Sequence, residues 1–186
     1  MTSSKAALRQ SLLAARRAHP GGKGLLDAAR TTTEIRQADR IALYVALGPE
    51  PQTGALIDWL LAEGKEVLLP ILYADNDLGW GLAPGAADLV PGRLGLTEPP
   101  IDLGESAIGT ADLVICPAVA VDRTGVRLGR GGGSYDRALA RVPAGVPIWA
   151  AVYDNEVLDS VPADPHDQLV HAALTPTRLI RLRSSG

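Results

Sequence analysis

The sequence predicts an α/β fold: a single-domain, three-layer arrangement with a mostly parallel central sheet flanked by helices. Three observations carry this. Arg40 to Leu47 is a nearly continuous apolar run, the pattern of a strand buried on both faces. A helical stretch from Thr53 to Ala62 follows, and Glu66 to Leu72 returns as a second apolar strand, so strand, helix and strand recur at the spacing of a βαβ unit. Finally, 186 residues at 46% hydrophobic suffice for one well-buried domain and are few for two.

The remaining elements follow in order. Ser4 is placed to cap a helix running to about Ala18, with Leu8, Leu12 and Ala15 on one face, and Pro20-Gly-Gly stops it. Ala28 to Gln37 reads as a second helix, and Thr53 as the cap of the crossover helix. Residues 74 to 110 are rich in Gly and Pro and predict irregular excursions, with a hairpin around Leu78 to Leu82. Leu113 to Val121, Ile148 to Tyr153 and Leu169 to Leu174 supply three further strands, and Arg178 to Leu182 an edge strand. In sheets of this kind ligands bind beyond the carboxyl ends of the strands; Glu50 lies just past one such end and the glycine run at 129–133 past another, so residues far apart in sequence can face one cleft.

Composition excludes several classes of function. A net charge of -3 without a basic stripe argues against a general nucleic-acid binder. One cysteine, Cys116, allows no intrachain disulfide, which fits a reducing cytoplasm, and its apolar strand context marks it as a packing residue rather than a nucleophile. No apolar run approaches the roughly 18 residues of a membrane span, so no membrane partner is expected, and a monomer is. Lys5, Arg9, Arg16, Arg17 and Lys23 all precede the first acidic residue, Asp27, as in a transit peptide; the same segment serves as the first helix, which is the preferred reading.

The most informative stretch is Gly125-Val-Arg-Leu-Gly-Arg-Gly-Gly-Gly-Ser-Tyr-Asp-Arg137. Without Cβ atoms, a run such as Gly129, Gly131, Gly132 and Gly133 can turn backbone N–H groups inward onto an anion, and a helix beginning at its end aims its positive pole there. The Lys-Ser/Thr of a Walker motif is missing and the dinucleotide-binding spacing is not met. On these residues alone a phosphate cradle and a plain structural turn both remain open. Arg127 and Arg130 flank the run with guanidinium groups suited to phosphate oxygens, against which structural salt bridges compete. Asp136 falls in the first helical turn, where a carboxylate is favoured by the dipole and can also hold Mg²⁺ beside a triphosphate. Lys5 and Arg9, four apart, share one helical face, which by spacing alone reads as a solvated basic face or as two sides of an anion site, while Arg16 and Arg17 read as solvent-facing. His166 has no second His at metal spacing and reads as a structural, hydrogen-bonded residue.

The glycine run resembles the signature of the 5-formyltetrahydrofolate cyclo-ligase (methenyltetrahydrofolate synthetase) family, approximately G-x-R-L-G-x-G-G-G-Y-Y-D-R. Family-like features recur in the same order along nearly the whole chain: Lys5-x-x-x-Arg9, Glu50-x-x-Thr53, a strand ending in Pro70, Leu94-Gly-Leu-Thr-Glu-Pro99, Asp112-Leu-Val-Ile-Cys-Pro117, Pro162-x-Asp-x-His-Asp167 and Thr175. Ser134 stands where the family usually carries an aromatic residue, and His171 where an acidic one is common.

The resemblance implies ATP-driven conversion of 5-formyltetrahydrofolate to 5,10-methenyltetrahydrofolate, with Mg²⁺. It places ATP on the segment Lys5, Ala6, Ala7, Leu8 and Arg9, and on Arg127, Leu128, Gly129, Arg130, Gly131, Gly132, Gly133, Ser134 and Tyr135. It places folate against Val45, Glu50 and the run from Arg130 to Tyr135, and the metal on Asp136 and Asp164. Lys5, Arg9, Arg127 and Arg130 would neutralise the charge of phosphoryl transfer. No covalent intermediate on a side chain is required, which accords with the lack of a Ser/His/Asp or Cys/His constellation. Two alternatives stay open: a folate-binding or storage protein that does not turn over, and another α/β enzyme acting on a phosphorylated sugar or CoA ester.

Overall fold

The computed structural model describes residues 2–18, 24–85 and 88–182; the Pro20 helix stop and Lys23 lie outside them. Twelve strands and five α-helices occur among the described residues, in the order α1 (Thr2–Ala18), α2 (Leu26–Ala29), α3 (Thr33–Gln37), β1 (Arg40–Ala42), α4 (Gly54–Ala62), β2 (Glu66–Leu72), β3 (Leu78–Leu82), β4 (Val90–Pro91), β5 (Thr97–Glu98), β6 (Leu113–Pro117), β7 (Ala120–Asp122), β8 (Arg127–Leu128), α5 (Ser134–Leu139), β9 (Ile148–Ala151), β10 (Val157–Leu158), β11 (Ala172–Leu174) and β12 (Leu179–Arg181).

The central sheet has seven strands in the order β12-β11-β9-β6-β1-β2-β3. Its five inner strands run parallel, and β3 and β12 close the two edges antiparallel. Strand alternation divides the interior in two. Ile41, Leu43, Val67, Leu69, Leu113, Ile115 and Trp149 face Leu25, Ile35, Leu56 and Leu60 of the α2–α4 layer. Ala42, Leu68, Val114, Cys116 and Ala150 face Ile108, Ala138 and Leu139 on the opposite side. The three-layer α/β prediction therefore holds, and Cys116 is the fully buried packing residue expected, with burial pushing its thiol up to about 11.

Several boundaries differ from the sequence reading, each for a local reason. The helix expected over Ala28 to Gln37 is two helices, because Thr31 and Thr32 bond the Ala28 and Ala29 carbonyls at 2.8 and 2.9 Å and Thr32 takes an extended conformation. The strand expected to reach Leu47 leaves the ladder after Ala42. Buried Thr53 takes over instead: its hydroxyl donates to the Tyr44 carbonyl at 2.7 Å and accepts from the Ala46 N–H at 3.1 Å, and so does not cap α4. The strand expected over Leu113 to Val121 breaks at Pro117, which has no N–H to continue the ladder. Beyond it, β7 joins a small second sheet, β10-β7-β8, in which β7 and β8 form an antiparallel hairpin.

Helix α1 lies over that small sheet. Leu8, Leu12 and Leu13 pack on Val119, Val126, Leu128 and Val161. Arg16, read from sequence as solvent-facing, is instead 4% exposed and forms a bidentate pair with Glu156, whereas Arg17 is exposed as expected. His166 lies exposed rather than as a structural residue, and His171 Nδ1 accepts the Ile148 N–H at 2.9 Å. No described helix is long and apolar enough to cross a membrane.

Candidate active site

A cleft of about 400 Å³ opens where the carboxyl ends of β1, β2 and β6 meet the β7–β8 hairpin and α1. After β1, Gly48 at φ +52° turns the chain so that Glu50 points back inward, only 6% exposed. Its Oε2 accepts the Leu47 N–H at 2.9 Å, which fixes the turn. Its Oε1 accepts from Arg130 Nε at 3.0 Å and pairs with Nη2 at 2.9 Å. Residues eighty positions apart thus meet across the cleft. The glycine run follows the hairpin strand β8 rather than a strand of the central sheet, so it comes to the cleft from the small sheet's side.

Within the run, Gly131 and Gly133 have φ of +101° and +71°, backbone that an L side chain rarely adopts. Gly133 is the residue from which α5 starts, and its own conformation, not a Ser134 side-chain cap, makes the turn into the helix. Arg9 secures the run from α1: its Nε donates to the Gly129 carbonyl at 2.7 Å, and its guanidinium carbon would lie 3.4 Å from a Cβ at Gly131. Lys5, one turn earlier, turns to a different pair of groups. Its ammonium sits between Asp164 and Asp167 at 2.8 and 2.7 Å. Partial burial disfavours that ammonium, but the hydrogen bonds and charge of the two carboxylates outweigh it and raise its pKa above the ordinary lysine value. The Lys5 hydrogen bond lowers the Asp164 pKa in turn.

Arg127 is buried, its Nη2 bonded to Asp136 Oδ1 at 2.8 Å and its Nη1 to the Pro117 carbonyl at 3.3 Å, with the guanidinium carbon 6.0 Å from the Tyr135 ring centre. The structural ion pair weighed against phosphate contact at this position is therefore present. Two buried polar atoms here, Arg127 Nε and the Tyr135 hydroxyl, have no hydrogen-bond partner among the described residues. Desolvation pushes the Tyr135 pKa well above the usual phenol value, so the hydroxyl enters any interaction as a proton donor or neutral acceptor.

The cleft gathers Lys5, Arg9, Val45, Glu50, Arg127 to Asp136, and Asp164 from the sequence-derived set. Ala6, Ala7 and Leu8 do not line it: the two alanines are exposed on the outer face of α1, and Leu8 packs on the small sheet. Among the described residues no three His, Cys, Asp or Glu side chains gather as a metal cluster; Asp136 and Asp164 each line the cleft with a cationic partner. Sequence reasoning missed Asp167, although it closes the same Pro-x-Asp-x-His-Asp motif as Asp164. It also gave no role to Pro70, Leu72, Leu78 and Leu96, the apolar wall supplied by β2, β3 and the approach to β5, or to Thr97 of β5 beside them.

A cleft at the carboxyl ends of parallel strands, lined by a glycine run, an apolar wall and four cationic side chains beside four carboxylates, is that of an α/β protein with a small-molecule site. The model of the 5-formyltetrahydrofolate cyclo-ligase family matches residues 1–176. A 5-formyltetrahydrofolate cyclo-ligase of Mycolicibacterium smegmatis is 43% identical, the alignment covering 97% of this chain and 98% of that protein. One from Escherichia coli is 32% identical over 80% and 84% of the two chains. The solution structure of the 5,10-methenyltetrahydrofolate synthetase of Aquifex aeolicus superposes with a TM-score of 0.78 at 26% identity, covering 98% of this chain and 94% of that one. The chain belongs to the 5-formyltetrahydrofolate cyclo-ligase family.

Proposed function

We propose that this protein converts 5-formyltetrahydrofolate and ATP to 5,10-methenyltetrahydrofolate, ADP and phosphate. The observation that carries the reading is the Glu50–Arg130 contact, which brings a buried carboxylate after β1 against the glycine run in one cleft. A carboxylate so held can accept N–H donors of a pterin ring, while the run and its arginines offer N–H donors to phosphates. The apolar wall from Val45 to Leu78 suits the flat ring system.

In the chemistry proposed, the formyl oxygen attacks the γ-phosphorus and ADP leaves. N10 then attacks the activated formyl carbon, its proton passes to solvent, and phosphate departs with the formyl oxygen. No side chain forms a bond to substrate. The residues align the two ligands and offset spreading negative charge, which is where phosphoryl transfer gains its rate. Arg9 and Arg130 hold the run from both sides. Lys5 serves the triphosphate once it exchanges Asp164 and Asp167 for phosphate oxygens. Asp136 offers one carboxylate beside the run, a donor set that fits Mg²⁺ when phosphate oxygens and water complete the shell, and Asp164 offers a second. Mg²⁺ bound there would neutralise charge on the phosphates. We place this activity in the cytoplasm.

Formation of the methenyl chromophore, followed by absorbance with and without ATP, tests the reading. Product only with ATP supports it. Folate binding without turnover would favour a storage protein, and no folate binding would favour a different α/β enzyme.

A further inference from the structure

Arg16 lies outside the cleft, yet its contacts reach the cleft wall at Ala118 and, through Tyr153, the Glu50 turn. Lys5, Arg9 and Arg16 fall at steps of four and seven on α1 and so share one stripe, with Arg16 about 10 Å along the axis from Arg9 and about 16 Å from Lys5. The Arg16 guanidinium makes three bonds: Nε to Glu156 Oε1 at 2.6 Å, and Nη2 to Glu156 Oε2 and to the Ala118 carbonyl, each at 2.7 Å. Ala118 belongs to the cleft wall at the break between β6 and β7. Glu156 Oε2 also accepts the Tyr153 N–H at 2.7 Å, and the Tyr153 ring lies 5.4 Å from the Arg16 guanidinium carbon. At the ring's far end the Tyr153 hydroxyl donates to the Pro49 carbonyl at 2.9 Å, next to Glu50.

We propose that Arg16, with Glu156 and Tyr153, is a positioning assembly that sets α1 and the Glu50 turn relative to each other. In this way the nucleotide-side groups Lys5 and Arg9 and the folate-side group Glu50 are brought to one geometry. A buried ion pair is a poor source of net stability, because desolvating both charges offsets their attraction, so stability alone does not account for it. A planar fork that must satisfy two carboxylate oxygens and a carbonyl together is, by contrast, a precise spacer that an ammonium cannot reproduce. The inference rests on the cyclo-ligase reading only for the identity of the two ligands.

The test uses the full chain with R16M/E156Q and Y153F. Removing both charges avoids a lone buried ion, and the amide oxygen that E156Q leaves in place still accepts the Tyr153 N–H. We expect R16M/E156Q to weaken both ATP and 5-formyltetrahydrofolate binding at least fivefold by titration calorimetry, in protein that remains folded by melting. We expect Y153F to weaken the folate alone, by threefold or more. R16K should fail to restore nucleotide affinity. Wild-type affinities in folded variants, whatever their melting temperature, would overturn the proposal. Amide hydrogen exchange over residues 47–50 and 129–133 needs no ligand and decides the matter even if wild-type protein binds no folate, an outcome that would sink the cyclo-ligase reading instead. Faster exchange in both segments of R16M/E156Q supports the assembly, and unchanged exchange refutes it.

Discussion

Two adjacent glycines separate a phosphate cradle from a structural turn. Gly131 has φ +101°, and an added methyl would meet the Arg9 guanidinium at 3.4 Å. Alanine there takes up left-handed backbone at a cost of about 1 to 2 kcal/mol, which for a chain of this size lowers Tm by about 2 to 8 °C. Gly132 is different: its φ is not left-handed, and the nearest atom to an added Cβ is Ser134 Oγ at 3.6 Å, an ordinary contact. Gly132→Ala therefore restrains the unfolded chain without straining the folded one, worth up to about 1 kcal/mol of added stability. Gly132 lines the cleft, so in the proposed cradle the added methyl would crowd the phosphate that the backbone N–H groups hold. We expect Gly132→Ala to melt at or slightly above the wild-type temperature while losing at least tenfold in ATP affinity, about 1.4 kcal/mol. Calorimetric ATP titration and melting on one sample measure both. Unchanged ATP affinity in a stable Gly132→Ala protein would refute the cradle and leave the run a turn.

Asp136→Asn keeps an oxygen for Arg127 and should lower turnover and blunt its magnesium dependence with little change in Tm. Asp136→Ala should in addition lose about 1 to 3 kcal/mol in a denaturant melt, because the buried guanidinium is left short of a partner. Glu50→Gln retains the Leu47 contact but loses the charge facing Arg130 and the pterin, and should weaken folate by about 1.5 to 3 kcal/mol and ATP far less in parallel titrations. Asp77 accepts both terminal nitrogens of Arg141, which holds its carboxyl down at about 2 from the ordinary 3.8. Its stabilisation is full above the ordinary value and is lost as pH falls toward about 2. Asp77→Asn should accordingly cost roughly 2 kcal/mol at pH 7 and much less near pH 2, measured by urea denaturation at both.

Much of this architecture was legible because strands buried on both faces leave long apolar runs, as β2 shows by ending where its sequence pattern does. What escaped is where a side chain replaces a backbone partner. Thr53 looks like a helix cap in sequence, yet its hydroxyl serves the Tyr44 and Ala46 backbone nine and seven residues back. Thr31 and Thr32 interrupt a helix for the same reason. In the candidate site, the glycine run could be picked out from composition, and the resemblance supplied Glu50, Lys5 and Arg9. Asp167 and Arg16 could not, because their roles depend on partners 162 and 140 residues away, a separation that carries no periodic signal.

Those separations also set an order of events during synthesis. The apolar stripe of α1 precedes in chain order every segment it packs against: the small sheet that covers it is complete only when Val157, Leu158 and Val161 have been added, and Lys5 waits for Asp164 and Asp167. At translation rates of about 5 to 20 residues per second, α1 waits roughly 5 to 20 seconds for the β7–β8 hairpin and longer still for Val161. The central parallel strands can begin to pair while the helix waits. Full docking of the helix therefore waits for the last third of the chain, and the cleft, which α1 walls with Lys5 and Arg9, is complete only then.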